Sequence, residues 1–259
     1  MQLLAHAGYL KRVERKQYLS DGRKPYLYRL TRKGAKALAG YLGCEVDDLE
    51  YWHERDWRLD DDYLEHLIRD NDVRIAITRA VQDQAGAVEL VQWLDVFTLK
   101  QTHSQDKLTI TTTEGKQQRH VLIPDDYVHL RTVVPTQHDY HHFVEIDLGT
   151  EIGRSGKAAY RTWERKVKLY LAYFDRKAGE SKYFARYGTH GGRVLTVTTS
   201  AQRLANLKRI TEEAGGKQRF WFTTFEQVTY RTVLDTPIWQ VARDKTAGLK
   251  PLLWGEELA

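Results

Sequence analysis

Apolar residues recur along this chain with two different periods, and the switch between them marks out elements. Over residues 63–82, Leu64, Leu67, Ile68, Val73, Ile75, Ile77, Ala80 and Val81 fit a helical stripe better than alternation, and Gly86 closes the stretch. Residues 88–99 read as a strand, with Leu90, Trp93, Leu94, Val96 and Phe97 interleaved with polar positions. Residues 107–113 and 118–123 flank Glu114-Gly115-Lys116 and predict a hairpin. Residues 127–134 and 141–148 predict two further strands that pair around positions 135–139. A long helix follows over 155–176, with Ala159, Trp163, Val167, Tyr170 and Phe174 on one side. Then come a strand at 193–199, a helix at 201–214 stopped by Gly215-Gly216, and a strand at 220–225. The tail from Thr236 to Trp254 reads as irregular and rich in packed aromatics. From Tyr63 the order is α-β-β-β-β-α-β-α-β, which predicts an α/β domain with a mixed sheet flanked by helices.

The first residues follow another pattern. Residues 1–9 read as the end of a helix stopped by Gly8, 10–15 alternate weakly, and 20–25 form a turn cluster. Residues 26–30 read as a strand, Thr31 as an N-cap, and 32–41 as a helix closed by Gly43. Gly8-Tyr9-Leu10 and Tyr28-Arg29-Leu30-Thr31-Arg32-Lys33-Gly34 resemble the wing of bacterial winged helix-turn-helix proteins. That resemblance implies DNA contact through Lys11, Arg12, Arg15, Lys16, Arg23 and Lys24, whose cations would lie along phosphates. A solvated basic hairpin is the alternative. A full winged helix has two or three helices before its wing, and only the end of one is legible here. The expectation is a partial winged helix, from a shortened start or a fragment that docks elsewhere.

Charge sharpens the division. Residues 11–36 carry Lys11, Arg12, Arg15, Lys16, Arg23, Lys24, Arg29, Arg32, Lys33 and Lys36 against only Glu14 and Asp21. From Glu45 to Asp72 acidic residues dominate. A sign change of this kind marks a module boundary near Gly43. The predicted segments are 1–43, a partial winged helix; 44–62, an acidic aromatic linker; and 63–259, the α/β domain with its tail. Over all 259 residues the formal charge is +5, which permits nucleic-acid binding. Neither a membrane-length apolar run nor a signal-peptide stretch is visible, and the one cysteine, Cys44, excludes an intramolecular disulfide. A cytoplasmic protein is expected.

The candidate chemistry lies in residues 121–168. Pro124-Asp125 opens one strand, and Phe143-Val144-Glu145-Ile146-Asp147 ends the next in two carboxylates. A basic helix with Arg161, Arg165, Lys166 and Lys168 follows. This order resembles the PD-(D/E)xK nuclease-like, or restriction-endonuclease-like, fold. The resemblance implies metal ligands at Asp125 and Glu145. Where that family has a lysine, position 147 is Asp, and Lys166 on the following helix is the best replacement. Glu145 and Asp147, two apart on a strand, share a face. Asp125, Glu145 and Asp147 could thus offer oxygen ligands to Mg²⁺, with Lys166 stabilising developing phosphate charge. Asp126 would point away. Alternatively Glu145 and Asp147 form structural ion pairs with Arg161, Arg165 or Lys166.

The basic wing, the acidic linker, Asn71-Asp72-Val73-Arg74, Pro124-Asp125, the 143–151 stretch ending Gly149-Thr150-Glu151, and residues 166–170 together resemble the replication-relaxation family of plasmids and other mobile elements. That resemblance implies a DNA-binding role in replication or DNA relaxation. Such a protein is either a Mg²⁺-dependent nickase or endonuclease using Asp125, Glu145, Asp147 and Lys166, or a non-catalytic regulator or recruitment subunit on an inactive nuclease-like fold. Its expected partners are double-stranded DNA and a replication, transfer or transposition enzyme. A third possibility is an assembly subunit whose aromatic tail binds a protein. Weaker signals carry no chemistry of their own. His53, Glu54, Asp56 and His66 lack ligand spacing, His138, His141 and His142 read as solvated, and 189–192 lacks phosphate-loop spacing.

Overall fold

The computed structural model describes residues 1–13, 26–49, 61–104, 106–111, 115–149, 156–176, 179–246 and 248–253. The chain divides into two compact units, Met1–Glu65 and His66–Ala259. Of the expected linker, positions 50–60 lie outside the described residues.

The first unit holds α1 (Gln2–His6), β1 (Leu10–Val13), β2 (Leu27–Leu30) and α2 (Arg32–Leu42), with β1 and β2 antiparallel. Thr31 organises it. Its hydroxyl accepts from the Gly34 N–H at 3.1 Å, capping α2, and donates to the Gly8 carbonyl at 2.7 Å. Gly34 is required by contact: a Cβ there would lie 2.1 Å from the Tyr9 carbonyl oxygen. Gly43 ends α2 in the left-handed region at φ 71°. The small core comprises Ala35, Ala39 and Leu49, with Leu30, Cys44 and Val46 against it.

The second unit is α/β. Its elements are α3 (Asp61–Asp83, from His66 on), β3 (Val88–Asp95), α4 (Val96–His103), β4 (Lys107–Thr111), β5 (Gln117–Val121), β6 (Asp126–Thr132) and β7 (His138–Asp147). After these come α5 (Gly156–Phe174), α6 (Lys182–Tyr187), β8 (Arg193–Thr198), α7 (Ala201–Glu213), β9 (Phe220–Thr224) and β10 (Gln240–Val241). Six strands form one mixed sheet in the order β10-β9-β8-β7-β6-β3. β7, β8 and β9 run parallel, and the other pairings are antiparallel. The strand expected over 88–99 stops at Asp95, whose carboxylate caps α4 by accepting from the Thr98 N–H at 2.8 Å. A local cap thus overrides the apolar alternation of Val96 and Phe97. α6, capped by Ser181, and the short β10 inside the tail were not expected from the sequence.

The register assigns side chains to faces. Cross-strand partners Phe143 and Val194 share one face with Phe220, and this face packs on Val167, Tyr170 and Tyr173 of α5 and Leu204 and Leu207 of α7. Val144 and Leu195 share the other face with Trp93. There Arg74 of α3 lies 5.9 Å over the Trp93 ring, and Arg193 donates to the Leu252 carbonyl at 2.8 Å. Helices therefore flank both sides of the sheet. No helix among the described residues is long and apolar enough to cross a membrane.

Candidate carboxylate site at the ends of the central strands

Asp125 directly precedes β6, and Glu145 and Asp147 are the last acids of β7. Asp147 stands beside Thr198 at the end of parallel β8. The three acids thus gather at the carboxyl end of the parallel strands, where open α/β sheets leave room for a ligand. Asp125 accepts a hydrogen bond from the Ile146 N–H at 2.8 Å, which ties the start of β6 to the end of β7. His66 of α3 approaches the same Asp125 oxygen at 3.4 Å.

Glu145 is only 2% exposed. Lys166 donates to its Oε2 and Tyr170 to its Oε1, so both oxygens are occupied. Lys166 and Tyr170 are four apart on α5 and so present to one face of the helix. Burial pushes the Glu145 carboxyl up to about 8; Lys166 opposes the rise and the charge of Asp125 adds to it. Asp125 goes the other way. Burial raises it, but the Lys166 ammonium, His66 and the Ile146 N–H outweigh that and hold it well below the usual carboxylate range. Burial disfavours the Lys166 charge, yet Glu145 and Asp125 more than restore it. His66 is likewise raised against its burial by Asp125. Lys166 thus acts on two carboxyls, by contact on Glu145 and by its charge on Asp125.

Asp147 is held separately. Arg203 of α7 grips it with Nε at 2.9 Å and Nη2 at 2.8 Å, and the Thr198 hydroxyl donates at 2.6 Å. Of the other basic candidates on α5, Lys168 pairs with Glu164 at 2.7 Å, Arg165 is exposed, and the Arg161 side chain lies outside the described residues.

Asp126 points to the opposite face, as expected, since it pairs across the ladder with Val144 and not with Glu145. It is 1% exposed, and neither of its oxygens has a hydrogen-bond partner among the described residues; Asp70 of α3 is the acid that acts on it most. Burial raises both carboxyls, Asp126 strongly, and each is raised further by a neighbouring acid. A carboxyl out of water and beside another acid favours its protonated form. His66 and Asp70, four apart on α3, thus meet Asp125 and Asp126 in turn.

Mg²⁺ keeps several waters and is held through one or two carboxylates with free oxygens. These residues do not fit it as arranged. Glu145 has both oxygens bound by protein donors, Asp147 is held by a guanidinium and a hydroxyl, and the Ile146 N–H and His66 both lie on a single Asp125 oxygen. Among the described residues no three His, Cys, Asp or Glu side chains are placed to hold a metal ion.

Of the residues expected from the sequence, Asp125, Glu145 and Lys166 come together, and Asp147 stands close enough to influence Lys166. Lys11 and Arg12 are exposed on β1, with Arg12 lying 4.7 Å over the Tyr26 ring. Arg15, Lys16, Arg23 and Lys24 lie outside the described residues. The reading of His138, His141 and His142 as solvated is corrected for His142, which is 1% exposed because it belongs to the sheet face under Arg193. His141 is part-buried too, its Nδ1 2.6 Å from the Tyr127 hydroxyl.

Sequence reasoning missed His66 as the partner of Asp125, Asp70, Tyr170 as a donor, and Arg203. The i,i+4 spacing of His66 and Asp70, and of Lys166 and Tyr170, was the available signal. Arg203 carried none, since only the fold brings α7 to the end of β7.

A family model described as Replication-relaxation matches residues 1–186. Neither the curated proteins nor the solved structures returned a match.

Proposed function

The chain belongs to the replication-relaxation family, and on that premise we propose a DNA-binding protein acting in the replication or relaxation of a plasmid or other mobile element. In this reading the second unit is a nuclease-like fold whose acids form an internal charge cluster instead of a cleaving centre. The order of antiparallel strands, helix α5 and parallel β8 supports the restriction-endonuclease-like assignment. The helix–hairpin–helix order of the first unit supports the partial winged helix. The observation that carries the reading is saturation of the carboxylates: Lys166 and Tyr170 take Glu145, and Arg203 and Thr198 take Asp147. The protein then works by holding double-stranded DNA, through Lys11, Arg12 and the other cations of the wing, and by regulating or recruiting a replication, transfer or transposition enzyme.

The test incubates the full chain with supercoiled and linear DNA in Mg²⁺ or Mn²⁺, alongside Asp125→Asn. The expected result is no strand cleavage by either protein, with duplex binding that weakens steeply as salt rises. Metal-dependent nicking lost in Asp125→Asn would overturn the non-catalytic half. Absence of duplex binding would overturn the DNA-binding half. A second reading, a Mg²⁺-dependent nickase or endonuclease using Asp125, Glu145, Asp147 and Lys166, is favoured by one observation: Asp125 and Glu145 share Lys166 at the strand ends.

A further inference from the structure

β4 and β5 stand outside the six-stranded sheet as a separate antiparallel ribbon. Its two faces differ in character. Leu108 and Ile110 point inward, 3% and 6% exposed, into the core shared with Val167 and Tyr170 of α5. The outer face carries Lys107 opposite Val121, Thr109 opposite Arg119, and Thr111 opposite Gln117. All of these except the half-buried Val121 are exposed. Neither Lys107 nor Arg119 has an ion-pair partner among the described residues. No acid occurs in 107–111 or 116–121; Glu114, at the turn, lies outside the described residues. The nearest described acid in sequence, Asp106, is taken by Arg186 at 3.0 Å.

Lys107 and Arg119 are diagonal neighbours on one face of the ladder. Like charges at that spacing repel unless an anion lies between them. A core-anchored ribbon that offers cations without an ion-pair partner among the described residues, beside Thr and Gln hydrogen-bonding groups, has the makings of a nucleic-acid reader. Its strands are about 4.8 Å apart, so the pair enters a B-form major groove about 12 Å wide. We propose that the outer face of β4–β5 is a second duplex-DNA contact, with Lys107 and Arg119 on phosphates and Thr109, Thr111 and Gln117 toward base edges. This rests on the DNA-binding reading above and adds a surface that the basic wing does not include.

The test measures binding of the full chain to a labelled duplex by anisotropy across a salt series. The proteins are the wild type, Lys107→Ser/Arg119→Ser, the conservative Lys107→Arg/Arg119→Lys, and the wing variant Lys11→Ser/Arg12→Ser. The ribbon changes are all at exposed positions, and an unchanged melting temperature checks that the fold is kept. The serine ribbon variant is expected to bind at least about tenfold more weakly at low salt. Its log–log salt slope should be shallower by about 1.8, from two lost phosphate contacts at about 0.9 each. The conservative variant should retain both affinity and slope, and N7-methylation of guanine should interfere with wild-type binding. If the wild type binds and the wing variant weakens while the serine ribbon variant matches wild type in affinity and slope, the ribbon proposal falls and the DNA-binding reading stands. If the wild type binds no duplex, both fall.

Discussion

Two buried carboxyls, Glu145 and Asp126, sit at the same end of the sheet on opposite faces, and each is kept out of water by a different device. Glu145, on the α5 side, receives an ammonium from Lys166 and a hydroxyl from Tyr170. Asp126, on the α3 side, receives another acid, Asp70. Burial raises both, because neither can afford a bare charge in a medium of low polarity. The difference lies in what surrounds them. On the α5 side Lys166 pairs with Glu145 and also acts through its charge on Asp125, which His66 and the Ile146 N–H help to keep ionised. On the α3 side the charges of His66 and Arg74 act on Asp70, while burial and the neighbouring acid favour a proton on Asp126. The lesson is that an acid near a lysine is not thereby ionised; the division of one positive charge among several acids decides.

The hardest blow to this arrangement is removal of the shared cation. Lys166→Met leaves Asp125 without its ammonium and Glu145 with only Tyr170. Breaking a buried pair by deleting one partner costs about 3–5 kcal/mol. The lower end applies here, because 28% of the Lys166 side chain reaches solvent. Chemical denaturation at neutral pH reads the loss. Adding Asp125→Asn to Lys166→Met should recover a good part of it, since Asp125 is the acid that holds its charge. No recovery would mean that Glu145 and not Asp125 is the ionised partner of Lys166.

The two faces should next separate by their pH dependence. A carboxyl whose folded pKa lies above its unfolded value binds its proton more tightly in the folded chain. Its contribution is full below the unfolded value and is lost as pH rises through the folded one. For Glu145 the window runs from about 4.3, the unperturbed value, to about 8. Asp126 and Asp70 act in the same sense, since both are raised. Within such a window each group lowers stability by at most about 1.4 kcal/mol per pH unit. Glu145→Gln and Asp126→Asn should each flatten the fall of stability from pH 5 to pH 8, and combining them should flatten it further. An Asp126→Asn variant with the wild-type slope would show that the α3 pair holds no extra proton. Asp125, being lowered, acts oppositely: its contribution is present above the usual carboxylate range and lost as pH falls into strong acid.

The sequence made the α5 side legible and the α3 side nearly opaque. Asp125 and Glu145 stand out as carboxylates at the ends of successive strands, Lys166 follows from the resemblance to the nuclease-like family, and strand alternation correctly turns Asp126 away from them. Where Asp126 went was not legible, because its partner Asp70 lies in a helix separated from it by β3, α4 and the β4–β5 ribbon. The same holds for Asp147. Its spacing from Glu145 was read correctly, but Arg203 arrives from α7 only after β8 has been laid alongside β7. The ladder elements were visible from periodicity. The helix α4 was not, because Asp95 caps it in the midst of an apolar run that also suits a strand.

The smallest perturbation tests whether Tyr170 is a support or a bystander for Glu145. Tyr170→Phe keeps the ring in the core, where it packs 5.6 Å from Phe143 and 6.1 Å from Phe220, and removes only the hydroxyl. A buried hydrogen bond to a neutral acid contributes about 1 kcal/mol net. The loss should grow modestly as pH rises, because a Glu145 that begins to ionise needs the second donor more. In Glu145→Gln the same Tyr170→Phe change should lose that pH dependence, since the amide does not titrate. A double-mutant cycle at two pH values isolates the coupling from the shared packing. Equal coupling at pH 5 and pH 8 would mean that Lys166 alone governs the charge of Glu145, and the α5 side would then differ from the α3 side only in having a cation.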